Sequence, residues 1–138
     1  AAELEEHHQE TELSEERKTV ALIAHDNMKD DMIAFAEQHR DVLQRYKLIA
    51  TGTTGKLLNE RVGLNVERML SGPIGGDAQI AAQVAEGKIA AVFFFIDALG
   101  KHPHDPDINT LLRICNVHNV PLATNPATAS YIISTKAL

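Results

Sequence analysis

The chain has 138 residues, of which 44% are hydrophobic and 23% are charged, and this length fits one domain with its own core. Its formal net charge of -6 argues against nucleic-acid binding, because such proteins usually carry a basic excess. The single cysteine, Cys115, excludes an internal disulfide and favours a reducing compartment, which we expect to be the cytoplasm. The longest apolar run, residues 89–96, is too short for a membrane span.

Most of the negative charge lies at the N-terminus, where residues 1–18 contain seven glutamates against Arg17 and Lys18. Polar residues dominate this segment and large apolar side chains are few. Such a stretch cannot bury enough surface to offset the entropy that it loses on ordering. We therefore predict an acidic tail over residues 1–18 and one folded domain over residues 19–138.

From residue 19 onward, short apolar runs alternate with amphipathic stretches. The apolar runs predict five strands, over residues 20–24, 48–50, 66–70, 89–96 and 120–123. The amphipathic stretches predict helices over residues 27–46, 55–61 and 77–87, a helix through residues 108–115, and a last helix that opens at Asn125-Pro126. Asn125 is typical of a helix N-cap and Pro126 of a first helical position.

A strand followed by a helix, repeated five times, is typical of an α/β fold. Continuous apolar strands, as opposed to alternating ones, indicate a parallel sheet that helices cover on both faces. Right-handed crossovers then give a doubly wound, three-layer sandwich around a five-stranded parallel sheet. In such folds the ligand lies beyond the carboxyl ends of the strands, so the residues that follow each strand are the first candidates for a site.

Two of the segments that follow strands are suited to binding an anion. Thr51-Gly52-Thr53-Thr54-Gly55 follows the second strand, and Ser71-Gly72 opens a similar loop after the third. Glycines let main-chain N–H groups approach an anion, and the N-terminus of the next helix favours negative charge. Lys29, early in the first helix, adds a cation, so these residues together predict a phosphate-monoester site. The simpler alternatives are an ordinary N-cap at Thr53 or Thr54 and a solvated surface lysine at position 29.

Carboxylates gather at the same edge of the predicted sheet. Four aspartates follow strands or open helices there: Asp26, Asp77, Asp97 and Asp107. A single aspartate at such a position is most often a cap, but four beside an anion site exceed what capping needs. His25 and His104 lie among them, and their spacing matches no usual zinc site, so we expect no metal.

The remaining reactive residue types are interpreted as structural. Cys115 lies on an apolar helical stripe with Ile108, Leu111 and Leu112, and burial argues against a nucleophilic role. The other histidines of the domain are interpreted as surface residues of helices or loops: His39, His102 and His118.

Four motifs, in this order, resemble those of the methylglyoxal synthase family: His25-Asp-x-x-Lys29, Thr51-Gly-Thr-Thr-Gly55, Leu70-Ser-Gly-Pro-x-Gly-Gly-Asp77 and Pro103-His-Asp-Pro-Asp107. The resemblance extends from about residue 19 to residue 133. It implies a lyase that converts dihydroxyacetone phosphate to methylglyoxal and inorganic phosphate, in a bypass of glycolysis, without a metal or organic cofactor. It also implies a homohexamer that inorganic phosphate inhibits.

The resemblance also implies a role for each candidate residue. Asp77 becomes the general base, Asp107 its partner carboxylate, and His104 the histidine that acts on the substrate carbonyl. Asp26 and Asp97 become supporting carboxylates, and His25 becomes a substrate contact. The implied phosphate contacts are Lys29, Thr51, Gly52, Thr53, Thr54, Ser71 and Gly72.

Two non-catalytic interpretations stay open. Domains of this fold also serve as regulatory regions of carbamoyl phosphate synthetase, so the chain could be a domain that binds a phosphate ligand without turnover. Such a domain needs the phosphate loops but not Asp77, His104 and Asp107, and the presence of all three favours an enzyme. A catalytically silent scaffold is the other alternative, because Ala98 stands where many members of the family have proline.

Overall fold

The computed structural model describes residues 18–69, 76–100 and 105–134 of the chain, and the structural statements below concern these residues. Their strands are β1 (Thr19–Ala24), β2 (Lys47–Ala50), β3 (Val66–Arg68), β4 (Ala91–Phe95) and β5 (Leu122–Ala123). Their α-helices are α1 (Lys29–Gln38), α2 (Arg40–Leu43), α3 (Gly52–Leu57), α4 (Gly76–Ala85), α5 (Asp105–Val117) and α6 (Pro126–Ser134). A 3-10 turn over Asp26–Met28 precedes α1, and a π-helical turn over Leu58–Val62 continues α3. Across the described ranges, no helix has the length and apolarity needed to cross a membrane.

The five strands form one parallel sheet in the order β3-β2-β1-β4-β5. Strand β1 lies at the centre, where Leu22 is opposite Ala50 of β2 and Phe93 of β4. The chain adds strands on one side of β1 up to β3 and then crosses to the other side for β4. The strand order therefore reverses between β1 and β4, the position at which doubly wound folds hold their ligands.

Two apolar cores, one on each face of the sheet, make this a three-layer structure. Alternate residues of β1 point to opposite faces, so Val20 and Leu22 enter one core while Ala21 and Ile23 enter the other. Helices α1 and α6 cover the first core, and α4 and α5 cover the second. The prediction of a doubly wound sandwich around a five-stranded parallel sheet is confirmed.

The prediction of one continuous helix over residues 27–46 is wrong. The structure divides it into the 3-10 turn, α1 and α2, with His39 between the two helices at φ -110° and ψ 21°. No glycine or proline marks the break. The His39 ring packs against Phe35 at 4.9 Å between centroids, and its Nε2 lies 3.2 Å from Oγ of Ser130 on α6. Tertiary contacts therefore set this boundary, and a local pattern does not contain them.

Smaller differences concern the ends of elements. Helix α3 begins at Gly52, earlier than the predicted residue 55, because glycine's poor helix propensity concealed its first turn. Strand β4 is shorter than predicted at both ends, and β5 is shorter at its start. The predicted start of the last helix is confirmed, since Asn125 Oδ1 accepts a hydrogen bond from Thr128 N at 2.9 Å and caps α6.

Gly55 permits a close crossing between α3 and the side chain of Arg68 at the end of β3. A Cβ at position 55 would lie 2.8 Å from Arg68 Cγ, nearer than carbon atoms approach without displacement. From this position Arg68 Nε donates a hydrogen bond to Gly52 O at 3.0 Å. The arginine thus ties β3 to the first turn of α3, the segment that carries the candidate phosphate contacts.

Cys115 lies fully buried on the inner side of α5, among Leu111 and the residues of the second core. Burial raises the pKa of its thiol from 9.0 to about 11, because the thiolate would lose its hydration. The thiol is therefore protonated at neutral pH, and the interpretation of Cys115 as a structural residue agrees with its surroundings.

We predict that Gly55→Ala has opposite effects on stability in two backgrounds. In the parent chain the new methyl group must displace Arg68, which should lower the free energy of unfolding by about 1–2 kcal/mol. In an Arg68→Ala background the clash is gone, and the better helix propensity of alanine should raise the free energy of unfolding by about 0.5–1 kcal/mol. Urea unfolding of the four proteins measures both values. Equal changes in the free energy of unfolding in both backgrounds would show that Arg68 is not the reason for glycine at position 55.

Candidate active site

The first part of the site is the segment that leaves β1 at the centre of the sheet. His25 continues the ladder, because its main-chain N donates to Phe95 O at 3.1 Å, and the residue is 4% exposed. Met28 N then donates to His25 O at 2.8 Å and closes the 3-10 turn. The turn brings the side chains of residues 25–29 to the carboxyl end of the sheet, as the sequence predicted.

Lys29 is directed back at this end of β1. Its Nζ donates to Ala24 O at 3.2 Å and lies 2.7 Å from Oδ1 of Asp26, with 15% of the lysine side chain exposed. The alternative of a solvated surface lysine is therefore wrong. The Asp26 side chain is 96% exposed, so water screens the ion pair and leaves it weak. An incoming anion can compete with Asp26 for the ammonium group.

A second set of contacts joins the ends of β1 and β4. Asp97 N donates to His25 Nδ1 at 2.9 Å, and Asp97 Oδ2 accepts a hydrogen bond from Asn27 Nδ2 at 2.8 Å. Asp97 Oδ1 accepts one from Leu99 N at 3.1 Å. The turn after β4 therefore forms with alanine at position 98, and the candidate carboxylate is held by groups from both strands.

The third part is the segment Thr51-Gly52-Thr53-Thr54 between β2 and α3. Thr51 occupies the N-cap position without a side-chain capping bond, and Gly55 N donates to its carbonyl at 2.8 Å. Thr53 and Thr54 lie within the helix, so the alternative of an N-cap at either residue is wrong. Thr54 is 2% exposed, and its Oγ1 has no hydrogen-bond partner within the described ranges. A buried hydroxyl of this kind usually has a partner.

The structure places the other half of the predicted site only in part. Asp77 is the second residue of α4 and Asp107 the third residue of α5, and both helices pack on the same core. Their side chains lie outside what the structure describes, as do Ser71, Gly72 and His104. The described contacts thus bring together His25, Asp26, Lys29 and Asp97, while the roles of the remaining candidates stay predictions.

The histidines that were interpreted as surface residues have different outcomes. His39 is half-buried between α1 and α6, so its assignment to the surface is wrong, whereas His118 is exposed as predicted. His102 lies outside the described residues.

The sequence did not indicate Asn27, because one asparagine after a strand is an ordinary turn residue and its partner lies 70 positions away. Within residues 18–69, 76–100 and 105–134, no three His, Cys, Asp or Glu side chains are grouped so as to hold a metal ion.

Taken together, the described part of the site offers complementary chemistry at the reversal between β1 and β4. Lys29 supplies a positive charge, and the segment from Thr51 to Thr54 supplies hydroxyl and main-chain donors. Asp97 supplies an oriented carboxylate. The arrangement suits a small ligand with an anionic group at one end and a polar carbon framework at the other.

Comparison with known proteins gives a consistent result. The MGS-like domain family matches residues 31–124. The methylglyoxal synthase of Thermus thermophilus is 59% identical over 117 residues, which are 85% of this chain and 93% of the relative. The methylglyoxal synthase of Clostridium botulinum is 54% identical over 114 residues, which are 83% of this chain and 96% of the relative.

A solved structure extends the likeness to three dimensions. The crystal structure of methylglyoxal synthase from Elizabethkingia anophelis superposes with a TM-score of 0.81 at 47% sequence identity, and the match covers 86% of this chain and 78% of that one. The sheet order, the motifs at its carboxyl edge and these matches agree. The chain belongs to the MGS-like domain family.

Proposed function

We propose that the chain is a carbon–oxygen lyase that converts dihydroxyacetone phosphate to methylglyoxal and inorganic phosphate. The observation that carries the proposal is the likeness, over more than nine-tenths of their own length, to relatives named methylglyoxal synthase. The three residues that a regulatory domain would not need, Asp77, His104 and Asp107, are all present in the sequence. The polar edge of the sheet then has to bind the phosphate group and carry out the carbon chemistry.

The phosphate group is assigned to Lys29 and to the loops after β2 and β3. Lys29 is mostly buried and is paired only with an exposed carboxylate and a main-chain carbonyl in the contacts given above. Thr51, Gly52, Thr53 and Thr54 present hydroxyls and main-chain N–H groups at the start of α3, and the Thr54 hydroxyl is buried there without a protein partner in the described residues. Ser71 and Gly72 are proposed to complete the cradle.

The carbon chemistry is assigned to Asp77, His104 and Asp107. Asp77 takes a proton from the hydroxymethyl carbon beside the ketone, and the electron pair forms the C=C bond of an enediolate. A neutral His104 donates a hydrogen bond to the carbonyl oxygen, where negative charge develops. Asp107 is the partner carboxylate, and His25, Asp26 and Asp97 support the substrate and these groups. Triosephosphate isomerase also combines a carboxylate base with a neutral histidine.

Loss of phosphate requires a second proton movement. The negative charge must lie on the oxygen of the carbon that lost its proton, so His104 moves a proton between the two enediolate oxygens. That oxygen then forms an aldehyde C=O bond, the C=C bond shifts toward the phosphate-bearing carbon, and the C–O bond to phosphate breaks. The resulting enol takes up a proton on its methylene carbon, loses its hydroxyl proton and becomes methylglyoxal. The breaking bond must stand perpendicular to the enediolate plane, so the cradle fixes one rotamer as well as binding charge.

The finer features of the proposal follow the resemblance. We place the enzyme in the cytoplasm as a homohexamer that needs no metal or organic cofactor and that its product phosphate inhibits. Residues 19–138 form the catalytic domain. The acidic segment 1–18 is dispensable for turnover in this proposal; apart from Lys18 it lies outside the described residues.

Incubation with dihydroxyacetone phosphate tests the proposed function. We expect methylglyoxal and free phosphate to appear together in a one-to-one ratio. Saturable binding of dihydroxyacetone phosphate without either product would contradict the lyase and favour the regulatory domain. Absence of both binding and products would favour the silent scaffold.

We predict that Asp77→Asn abolishes most of the turnover, because the amide keeps the shape of the side chain but cannot accept the proton. The expected loss in kcat is at least about a hundredfold. Glu86→Gln, the same exchange at an exposed residue just after α4, is the control and should leave kcat unchanged. A loss for Asp77→Asn of less than about tenfold, a barrier change of ~1.4 kcal/mol, would exclude Asp77 as the base.

We predict that Lys29→Ala weakens binding more than it slows chemistry. Loss of a hydrogen bond to a charged group costs about 1.5–3 kcal/mol, so KM for dihydroxyacetone phosphate and the inhibition constant of phosphate should each rise about ten- to hundredfold. Lys56→Ala removes an exposed lysine of α3 and serves as the matched control. Unchanged values of both constants in Lys29→Ala would remove Lys29 from the phosphate site.

A further inference from the structure

Asn27 makes a side-chain contact between the two strands whose ends form the site. It lies in the 3-10 turn after β1, and its Nδ2 is 2.8 Å from Oδ2 of Asp97, the second residue after β4. The other carboxylate oxygen of Asp97 accepts from Leu99 N at 3.1 Å. Each of the two oxygens therefore accepts a hydrogen bond from a different segment of the chain.

The hydrogen bond between Asn27 and Asp97 has a defined direction. A carboxylate only accepts hydrogen bonds, so the amide group of Asn27 must present its nitrogen to Asp97. An amide orients the carboxylate without neutralising its charge, whereas a lysine or arginine would neutralise it. The cation of the same turn, Lys29, lies against Asp26 at 2.7 Å. Asn27 therefore orients the Asp97 side chain through a neutral donor.

The orientation of Asp97 bears on the protonation pattern of His25. Asp97 N donates to His25 Nδ1 at 2.9 Å, so Nδ1 carries no proton. A neutral imidazole has its proton on the other nitrogen, which makes Nε2 the donor of the ring. Asp97 thus accepts a hydrogen bond from Asn27 through its carboxylate and donates one to His25 through its main-chain N–H.

We propose that Asn27 is a positioning residue, which holds Asp97 so that the main chain of Asp97 keeps His25 in the form protonated at Nε2. The kinetic part of this inference rests on the proposed function, in which His25 contacts the substrate and Asp97 supports it. Asn27 does not touch the reacting atoms. Its removal takes away the hydrogen bond on Asp97 Oδ2, weakens the bond from Asp97 N to His25, and allows the imidazole to carry its proton on Nδ1 in part of the molecules.

Two variants and one control test the proposal by kinetics. Asn27→Ala removes the donor, and Asn27→Asp places a second carboxylate against Asp97. Because water reaches this hydrogen bond, we expect a fall in kcat of about three- to tenfold for Asn27→Ala, with KM within about threefold. Repulsion between like charges predicts a larger fall for Asn27→Asp. Asn116→Ala, which removes an exposed asparagine side chain of α5, should match the parent.

Imidazole ¹⁵N chemical shifts provide a readout that does not depend on turnover. We expect the His25 signals of the parent and of Asn116→Ala to report a proton on Nε2, and those of Asn27→Ala to shift toward a mixture of the two forms. Unchanged His25 signals in Asn27→Ala, or kcat within twofold of the parent in both Asn27 variants of an active enzyme, would overturn the proposal. Were the parent inactive, the proposed function would fail, and the nitrogen shifts alone would still decide the role of Asn27.

Discussion

Strand β1 is hydrogen-bonded to β2 on one side and to β4 on the other, and its residues are buried on both faces. This double pairing determines where the functional loops lie. Because the sheet is parallel, the chain leaves β1, β2 and β4 at the same edge. A shift of one residue in β1 would exchange Leu22 and Ile23 between the two cores, so the register is strongly specified. The position of the site depends on the packing of the sheet.

The polar groups at this edge form two neighbouring sets with different chemistry. One set carries Lys29 and the donors at the start of α3 and is suited to an anion. The other carries His25, Asn27 and Asp97 and is held by hydrogen bonds between β1 and β4. Asp97, the carboxylate of the second set, accepts hydrogen bonds from Asn27 and Leu99. The carboxylate that lies on Lys29 is the exposed one of Asp26.

The sequence was sufficient for the architecture and for part of the site. Continuous apolar runs predicted the buried parallel strands, and Asn125-Pro126 predicted the start of α6, because both signals are local. The break at His39 was not predictable from a local pattern, because it depends on Phe35 and on a contact with Ser130.

For the site, the sequence indicated which loops converge but not how their side chains bond. The pairing of Asn27 with Asp97 arises when residues from distant segments meet. Motif spacing contains no information of that kind. Asp77, His104 and Asp107 owe their proposed roles to the resemblance, supported for Asp77 and Asp107 by their place in the first turns of α4 and α5.

The central claim is that the loops after β1 and β2 bind the phosphate group of the substrate. A crystal structure of the chain with inorganic phosphate bound tests this most directly. The account predicts phosphate oxygens within hydrogen-bond distance of Lys29 Nζ and of the hydroxyl or main-chain donors of residues 51–54. Phosphate bound away from both segments, with Lys29 still against Asp26, would contradict the account.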